Sequence, residues 1–428
     1  MGLAPRRGGT LIAMSTVLLV GTLDTKGVEY AYVRERLRQR GVQTLVMDLG
    51  VLGDPPFAAD IPAAEVARAG GADLAALRAA RDRGPAIDAM LRGASALVPA
   101  LHRDGRIDAV LGLGGGGGTA MITAAMRTLP VGVPKLMVST LASGNTAQYV
   151  DVTDITLMPS VIDIAGLNPL SRRILANAAG AIAGMVDQAT LEADAGERDD
   201  PPRPLLAATM FGVTTPCVTA ARQQLEAAGY DVLVFHATGT GGRAMESLVD
   251  SGFIQGVLDV TTTEWCDEVV GGVLSAGPDR HGAAARRAIP QVVSAGALDM
   301  VNFHGMDTVP AAFAGRTFYR HTPSVTLMRT TADECREIAR RLAAQLNRST
   351  APVTLVLPLG GVSMIDAPGQ PFHDPAADRA LFETLRASVA PTVRVVDVDA
   401  HINDPRFADT LVREMLAVLT PALRTRNA

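Results

Sequence analysis

Gly114-Gly115-Gly116-Gly117-Gly118-Thr119 is the stretch that decides how this chain folds. An apolar run over 107–113 leads into it, and small residues over 120–127 lead out. The pattern predicts a buried parallel strand, a turn of bare backbone and then a helix. Glycine has no β-carbon, so a ligand can approach its N–H group closely, but each glycine loses extra backbone entropy on folding. Five in succession exceed what a mere connection needs. The first helical turn adds unpaired N–H donors and a partial positive charge, with Thr119 as the expected cap. Together these features describe an anion site, most often one for phosphate.

Outward from this turn, strands and helices alternate. Strands are expected at 16–20, 43–48, 135–138 and 155–158, with helices over 28–40, 94–102 and 171–193. The segment 51–93 is polar and punctuated by proline, with short helical stretches at 63–68 and 73–81. A charged, proline-rich stretch over 196–204 reads as a linker between a domain 1–195 and a domain 205–428. Past it the pattern starts again. Leu101, Gly105, Ile107, Val110 and Leu111 answer Leu248, Gly252, Ile254, Val257 and Leu258, and Val133-Pro134 answers Ile289-Pro290. Thr156-Leu157-Met158 answers Thr326-Leu327-Met328. The ordered pairings indicate an internal duplication with 51–93 inserted in the first copy. The expected fold is α/β, two Rossmann-like subdomains with parallel sheets.

Composition narrows the function. A net charge of −5 offers no electrostatic footprint for nucleic acid. Cys217, Cys266 and Cys335 are scattered, which suits a reducing cytoplasm and neither a disulfide framework nor a metal knuckle. Arg6, Arg7 and the apolar run 11–20 imitate a signal peptide without its cleavage site, so the run is expected to be the first strand, with Met14 an alternative start. No stretch is long enough for a membrane span.

In open parallel sheets ligands sit beyond the C-terminal strand ends. There the first copy places Thr22, Asp24, Thr25 and Lys26, then Gly114, Gly115, Gly116, Gly117, Gly118 and Thr119, then Ser139, Thr140, Ser143, Gly144 and Asn145. Thr22, Thr25 and Lys26 suit phosphate oxygens, and Asp24 suits a metal or a hydroxyl; a plain helix start capped by Asp24 or Thr25 explains the same residues. Neither the P-loop nor the dinucleotide fingerprint fits. No Lys-Ser/Thr pair closes the glycine run, and no acid stands about 20 residues beyond Gly112, Gly114 and Gly117 to hold a ribose. The second copy offers His236, Thr238, Thr240, Gly241, Gly242, Arg243 and Glu264, with Gly296, Asp299 and Asn302, either as a second anion site or as the relic of one. Asp397, Asp399 and His401 alternate as metal ligands or a solvated strand face would.

The loops GTLDTKG (21–27), LGLGGGGGT (111–119), STLASGN (139–145), TMFGVTT (209–215), FHATGTGGRAME (235–246), LDVTTTE (258–264), GALDMVNF (296–303) and VTLMRTT (325–331) carry a resemblance. Over 17–404 the chain resembles the tomato mosaic virus resistance protein-like ATP-binding domain family. The resemblance implies two Rossmann-like subdomains, ATP binding and dimerisation. The plant protein's further C-terminal TIM-barrel-like domain has no counterpart here, so its antiviral role is not carried over. The resulting expectation is a cytoplasmic ATP-binding protein, with Mg²⁺ accompanying the phosphates. The alternative is an enzyme acting on a small carboxylate or carbonyl metabolite in the second copy, with Arg243 as anion clamp and His236 or Glu264 as acid or base. The insertion 51–93 is expected to bury its apolar face (Ala63, Val66, Ala67, Leu74, Leu77, Ile87) in a homodimer contact or as a lid over the site.

Overall fold

A computed structural model describes residues 15–194 and 203–426. The chain divides into two compact units at Asp199/Asp200. Most of the expected linker, 196–202, lies outside the described residues.

The first unit runs β1 (Thr16–Gly21), α1 (Leu23–Arg38), β2 (Gln43–Asp48), α2 (Ala63–Ala69), α3 (Leu74–Ala80), α4 (Arg83–Arg103), β3 (Ala109–Gly114), α5 (Gly116–Met126), β4 (Lys135–Ser139), α6 (Ala147–Val150), β5 (Thr156–Pro159) and α7 (Pro169–Asp194). Its five strands are all parallel, in the order β2-β1-β3-β4-β5. Both faces are covered, which is why the strands are continuous apolar runs. Along β1, Leu18 and Val20 join the core beneath α2, α4 and α5, while Val17 and Leu19 join the core beneath α1 and α7.

Three boundaries differ from the sequence reading. Helix α4 starts at Arg83 rather than 94, because Pro85 falls in its first turn, where no N–H partner is needed. Helix α5 starts at Gly116, so three of the five glycines are helical and Thr119 lies inside the helix instead of capping it. Helix α1 starts at Leu23, with a kink at Lys26 (φ −131°, ψ 18°) close to the expected start. In the insertion, Ala63, Val66 and Ala67 are buried in the core of the same unit, and Leu74, Leu77 and Ile87 pack against it. Ile61 extends the contact by bridging to Met47 beside β2. The apolar face is therefore covered within the chain at Ala63, Val66 and Ala67 and half-buried at Leu74, Leu77 and Ile87.

The second unit runs β6 (Leu205–Met210), α8 (Thr215–Ala227), β7 (Asp231–His236), α9 (Thr240–Asp250), β8 (Gly256–Thr261), α10 (Glu264–Val270), α11 (Gly282–Arg286), β9 (Gln291–Gly296), β10 (Met300–Phe303), β11 (Phe318–Thr322), β12 (Val325–Arg329), α12 (Ala332–Leu346), β13 (Val353–Pro358), α13 (Pro375–Ser388), β14 (Val393–Val398) and α14 (Pro405–Arg426). Its parallel sheet has the order β7-β6-β8-β9-β13-β14. The first four strands thus repeat the order of the first unit. The fifth does not: β12, which carries Thr326-Leu327-Met328, lies in a separate antiparallel sheet, β10-β12-β11. Only 323–324 separate β11 from β12, a hairpin turn too short for the crossover a parallel neighbour requires. The match to 156–158 therefore reflects similar composition and not an equivalent place in the sheet.

Candidate functional site

In the first unit the chain leaves β1 in one direction to reach β2, then returns past β1 to reach β3. Between β1 and β3 the following loops diverge, and a crevice opens at this switch point. Tyr30 of α1 ties β1 to β3 there. The buried hydroxyl accepts the Leu113 N–H (2.7 Å) and lies against the carbonyls of Val20 and Leu113. Burial drives its ionisation far above the ordinary tyrosine range, so it acts there as a neutral bridge. A β-carbon on Gly21 would overlap the Tyr30 ring and hydroxyl, which accounts for that glycine.

Beyond the strand ends is a cleft of about 720 Å³, a size that accommodates a drug-sized ligand. Its lining brings together Thr22, Asp24, Thr25 and Lys26 with Gly115, Gly116, Gly117 and Gly118. Thr22 and Thr25 bond each other through their hydroxyls (2.8 Å), and Lys26 Nζ donates to the Ile164 carbonyl (2.6 Å). Asp24 Oδ2 accepts the Leu52 N–H (2.7 Å), while its Oδ1 is buried without a hydrogen-bond partner. Helix α1 draws its anion from inside the unit: Asp48 Oδ1 accepts the N–H of Leu23 (3.0 Å) and Gly50 (2.8 Å), and burial raises its carboxyl.

Helix α5 has no such partner. Its N-cap is Gly115, with no side-chain capping bond, so the first-turn N–H groups face the cleft. The glycines here divide into two kinds. A β-carbon on Gly114 would meet backbone of Gly118 and Thr119 at 3.0–3.1 Å, so packing requires glycine there. On Gly115, Gly116 or Gly118 it would meet nothing nearer than 3.7 Å, and none of the five has positive φ. The fold itself does not demand glycine at those three positions.

The other first-copy candidates separate. Thr119 is buried and bonds Ser139 Oγ (2.7 Å), bracing the turn from below. Thr140 stands beside Gly115, within 3.7 Å of where its β-carbon would be. Ser143, Gly144 and Asn145 form an exposed turn outside the cleft lining, with Asn145 Oδ1 accepting the Ala147 N–H. The sequence reading offered the insertion as a lid, with Leu77 and Ile87 on its apolar face, but missed the cations of this opposite wall. The insertion supplies Arg78, Arg81 and Arg83 along with apolar Leu52, Leu77, Ile87 and Met90. The legible signal was Arg81-Asp82-Arg83 just ahead of a helix, a basic pair beside an expected phosphate turn.

The second unit fills the corresponding space with its own atoms. The turn after β8, topologically equivalent to the glycine turn after β3, carries Thr261, Thr262, Thr263 and Glu264, all at most 1% exposed. The Glu264 carboxylate accepts Gly239 N–H (2.7 Å), Gly242 N–H (3.1 Å) and Arg280 Nε (2.7 Å). Arg280 also grips Asp259 (2.7 and 2.9 Å) and Glu246 (3.1 Å). Burial pushes the Asp259 carboxyl upward, but Arg280 and His281 outweigh it and hold the group well below the usual range. The anion expected at Gly239–Gly242 is thus a carboxylate of the chain itself. The expectation made Glu264 an acid or base; its carboxylate is buried, with both oxygens engaged by Gly239, Gly242 and Arg280. His236 is exposed at the end of β7, edge-on to Phe211, and Arg243 reaches the Ser275 carbonyl. Thr238 bonds the His236 carbonyl, and Thr240 and Gly241 open α9.

The remaining candidates do not converge. Gly296 ends β9, Asp299 accepts Ser363 Oγ (2.7 Å), and Asn302 Nδ2 donates to Asp267 (2.7 Å). Asp397 pairs with Arg386 (2.9 Å), while Asp399 and His401 lie past the end of β14, so the expected alternation is broken. Among the described residues no group of three or more His, Cys, Asp or Glu is placed to hold a metal. Nor is any helix among them long and apolar enough to cross a membrane.

Family models now match both units: the N-terminal domain of an uncharacterised protein family, UPF0261, over 15–191, and its C-terminal domain over 203–419. The chain belongs to the UPF0261 family. It is 48% identical over 404 residues to a UPF0261 protein of Clostridium tetani, covering 94% of this chain and 98% of that one. A UPF0261 protein of Rhizobium meliloti is 50% identical over 410 residues, covering 95% and 100%. The ToMV resistance protein Tm-1(GCR237) of Solanum lycopersicum is 45% identical over 338 residues, 78% of this chain but 45% of that longer protein. The resemblance drawn from the loop motifs therefore holds at the level of family, and the UPF0261 chain shares no more than the matched portion of the tomato protein.

Proposed function

We propose that this UPF0261 protein binds a nucleotide, ATP with Mg²⁺, in the cleft of its first unit, with the phosphates on the turn from Gly115 to Gly118. The observation that carries the reading is the glycine surplus. Glycine at Gly115, Gly116 and Gly118 is not required by packing, yet at the two helical positions, Gly116 and Gly118, each costs roughly 0.5–1 kcal/mol relative to alanine. A ligand that approaches the backbone closely supplies the missing reason. The uncapped α5 N–H groups supply donors, and the apolar wall around Leu77 and Met90 offers a surface for a base. Asp24 fits Mg²⁺, a hard cation that prefers one or two carboxylates plus phosphate oxygens, because its buried Oδ1 lacks a partner.

Calorimetry with the Gly116→Val/Gly117→Val protein tests this. Neither residue has positive φ, and the atoms that a Gly117 β-carbon would crowd, Ile87 Cδ1 at 3.2 Å and Arg83 Nη2 at 3.4 Å, are side-chain ends that can shift, so the fold is expected to persist while ATP binding is lost. Unchanged ATP affinity in the folded variant sinks the assignment.

A second reading keeps an enzyme for a small carboxylate or carbonyl metabolite in the second unit but moves its place. A cleft of about 470 Å³ at the C-terminal end of β13 is lined by His373, Asp378 and Arg379. Burial and the nearby Asp366 carboxylate push the Asp378 carboxyl upward against the Arg329 guanidinium that it accepts from (2.6 Å), which makes Asp378 the residue to test for proton transfer. A thermal-shift screen of small carboxylates, with Asp378→Asn as control, checks it. Homodimerisation and a cytoplasmic location remain part of the proposal, with any dimer contact lying outside the covered face of the insertion.

A further inference from the structure

The turn between α3 and α4 places two guanidinium groups on the cleft wall facing the glycine turn. Arg81 ends α3 in the left-handed region (φ 51°), and Arg83 opens α4; Asp82 between them accepts the Gly84 N–H as the α4 cap. Arg83 Nη2 lies 3.4 Å from the point where a Gly117 β-carbon would sit, so this cation stands over the positive end of α5. Among the described residues neither Arg81 nor Arg83 has an ion pair or a hydrogen-bonded side-chain partner, whereas Arg78 on the same wall is paired with Asp54 (3.1 Å) and the Gly53 carbonyl (2.6 Å). In all, four cations and two carboxylates line the cleft of a chain whose net charge is −5. Positive charge has been gathered against the trend of the molecule, and Asp82, the carboxylate of the α3–α4 turn, is engaged as the α4 cap and forms no ion pair with either arginine.

We infer that Arg81 and Arg83 clamp the outer phosphates of a ligand seated on the α5 turn, so that the cleft selects polyphosphates, a nucleoside triphosphate above a monophosphate. This rests on the nucleotide reading for the identity of the ligand, but the clamp concerns the phosphate chain alone. The innermost phosphate lies on the α5 N–H groups in either case. Each further phosphate reaches toward the α3–α4 turn, where a guanidinium offers paired donors matched to phosphate oxygens. Binding thereby joins the insertion to α5 across the cleft and gives 51–93 a role that its own packing does not explain.

The test is isothermal titration of wild type, Arg81→Ala/Arg83→Ala and Arg81→Lys/Arg83→Lys with ATP, ADP, AMP and inorganic tripolyphosphate. Both arginines are exposed, so the variants are expected to keep the wild-type melting temperature. Wild type should bind ATP at least tenfold more tightly than AMP. The double alanine variant should lose about 30-fold or more for ATP and tripolyphosphate and less than twofold for AMP, with the lysine variant intermediate and more salt-sensitive. Nucleotide binding that ignores phosphate number, or falls equally for ATP and AMP in the alanine variant, overturns the clamp and leaves the nucleotide reading standing. Arginine-dependent binding of tripolyphosphate without nucleotide binding supports the clamp and overturns the nucleotide reading. No binding of any of the four overturns both.

Discussion

Replacing Glu264 by glutamine tests the contrast between a filled turn in one unit and an open one in the other. In the native carboxylate, Oε1 accepts both glycine N–H groups and Oε2 accepts Arg280 Nε. Glutamine can keep the first pair of bonds through its one oxygen. Its NH₂ then faces the Arg280 N–H, donor against donor, in a site with 1% exposure on both sides. The loss is a charge-assisted bond, roughly 1.5–3 kcal/mol, plus a buried donor left without an acceptor, roughly 1–3 kcal/mol. Asp259 and Glu246 still neutralise Arg280, which keeps the total near 3–5 kcal/mol, the usual range for breaking a buried pair. For a unit of this size that corresponds to a drop of about 6–20 °C in melting temperature. Trp265, the only tryptophan in the chain, is the next residue and is buried, so its fluorescence during denaturation reports the second unit alone. Ligand binding in the first unit should be unaffected. A loss below about 1 kcal/mol would refute the internal-anion assignment, and a fully stable variant that had lost a catalytic activity would return Glu264 to the acid–base role.

Other expectations can be checked directly. Gly118→Ala should stabilise the first unit by about 0.5–1 kcal/mol while weakening ATP binding, as read by chemical denaturation and calorimetry; stabilisation with undiminished affinity would remove the reason offered for the glycine. Tyr30→Phe leaves the Leu113 N–H without its acceptor between β1 and β3 and should cost roughly 1–3 kcal/mol in urea denaturation, with a negligible change counting against the bridge. Burial pushes the Asp267 carboxyl from 3.8 up to about 7, so the folded unit binds this proton more tightly than the unfolded chain does. Its stabilisation is present below about pH 4 and is lost as pH rises to about 7, a change of up to roughly 4 kcal/mol. In Asp267→Asn the partnerless Asn302 Oδ1 can turn to accept the new amide, and this part of the pH dependence of Trp265-monitored stability should vanish; an unchanged slope would place the titration elsewhere.

Much of the architecture was legible because it is written in short-range pattern. Strands buried on both faces must be apolar runs, so β1, β2 and β3 announced themselves, and the surplus of glycine after β3 marked the cleft before any fold was known. Local pattern also misled where two geometries share one composition. The run Thr326-Leu327-Met328 is as apolar as a parallel strand, yet the two-residue turn after β11 forces an antiparallel partner. Pro85 looked like a break and is instead an accepted first-turn residue of α4. Partner choice was beyond the sequence altogether. Glu264 finds Arg280 and the N–H groups of Gly239 and Gly242, and Arg83 comes to stand over Gly117, only after closure of the sheet brings segments 16 to 34 residues apart into contact. Residue type fixes what a side chain can bond. Which bond it makes depends on long-range packing, because charge and hydrogen bonding act over a few ångströms of space without regard to distance along the chain. For that reason the sequence alone marked the first glycine turn as an anion site and left the second as an anion site or its relic, whereas only the tertiary structure shows a carboxylate of the chain seated at the second turn and a cleft beside the first.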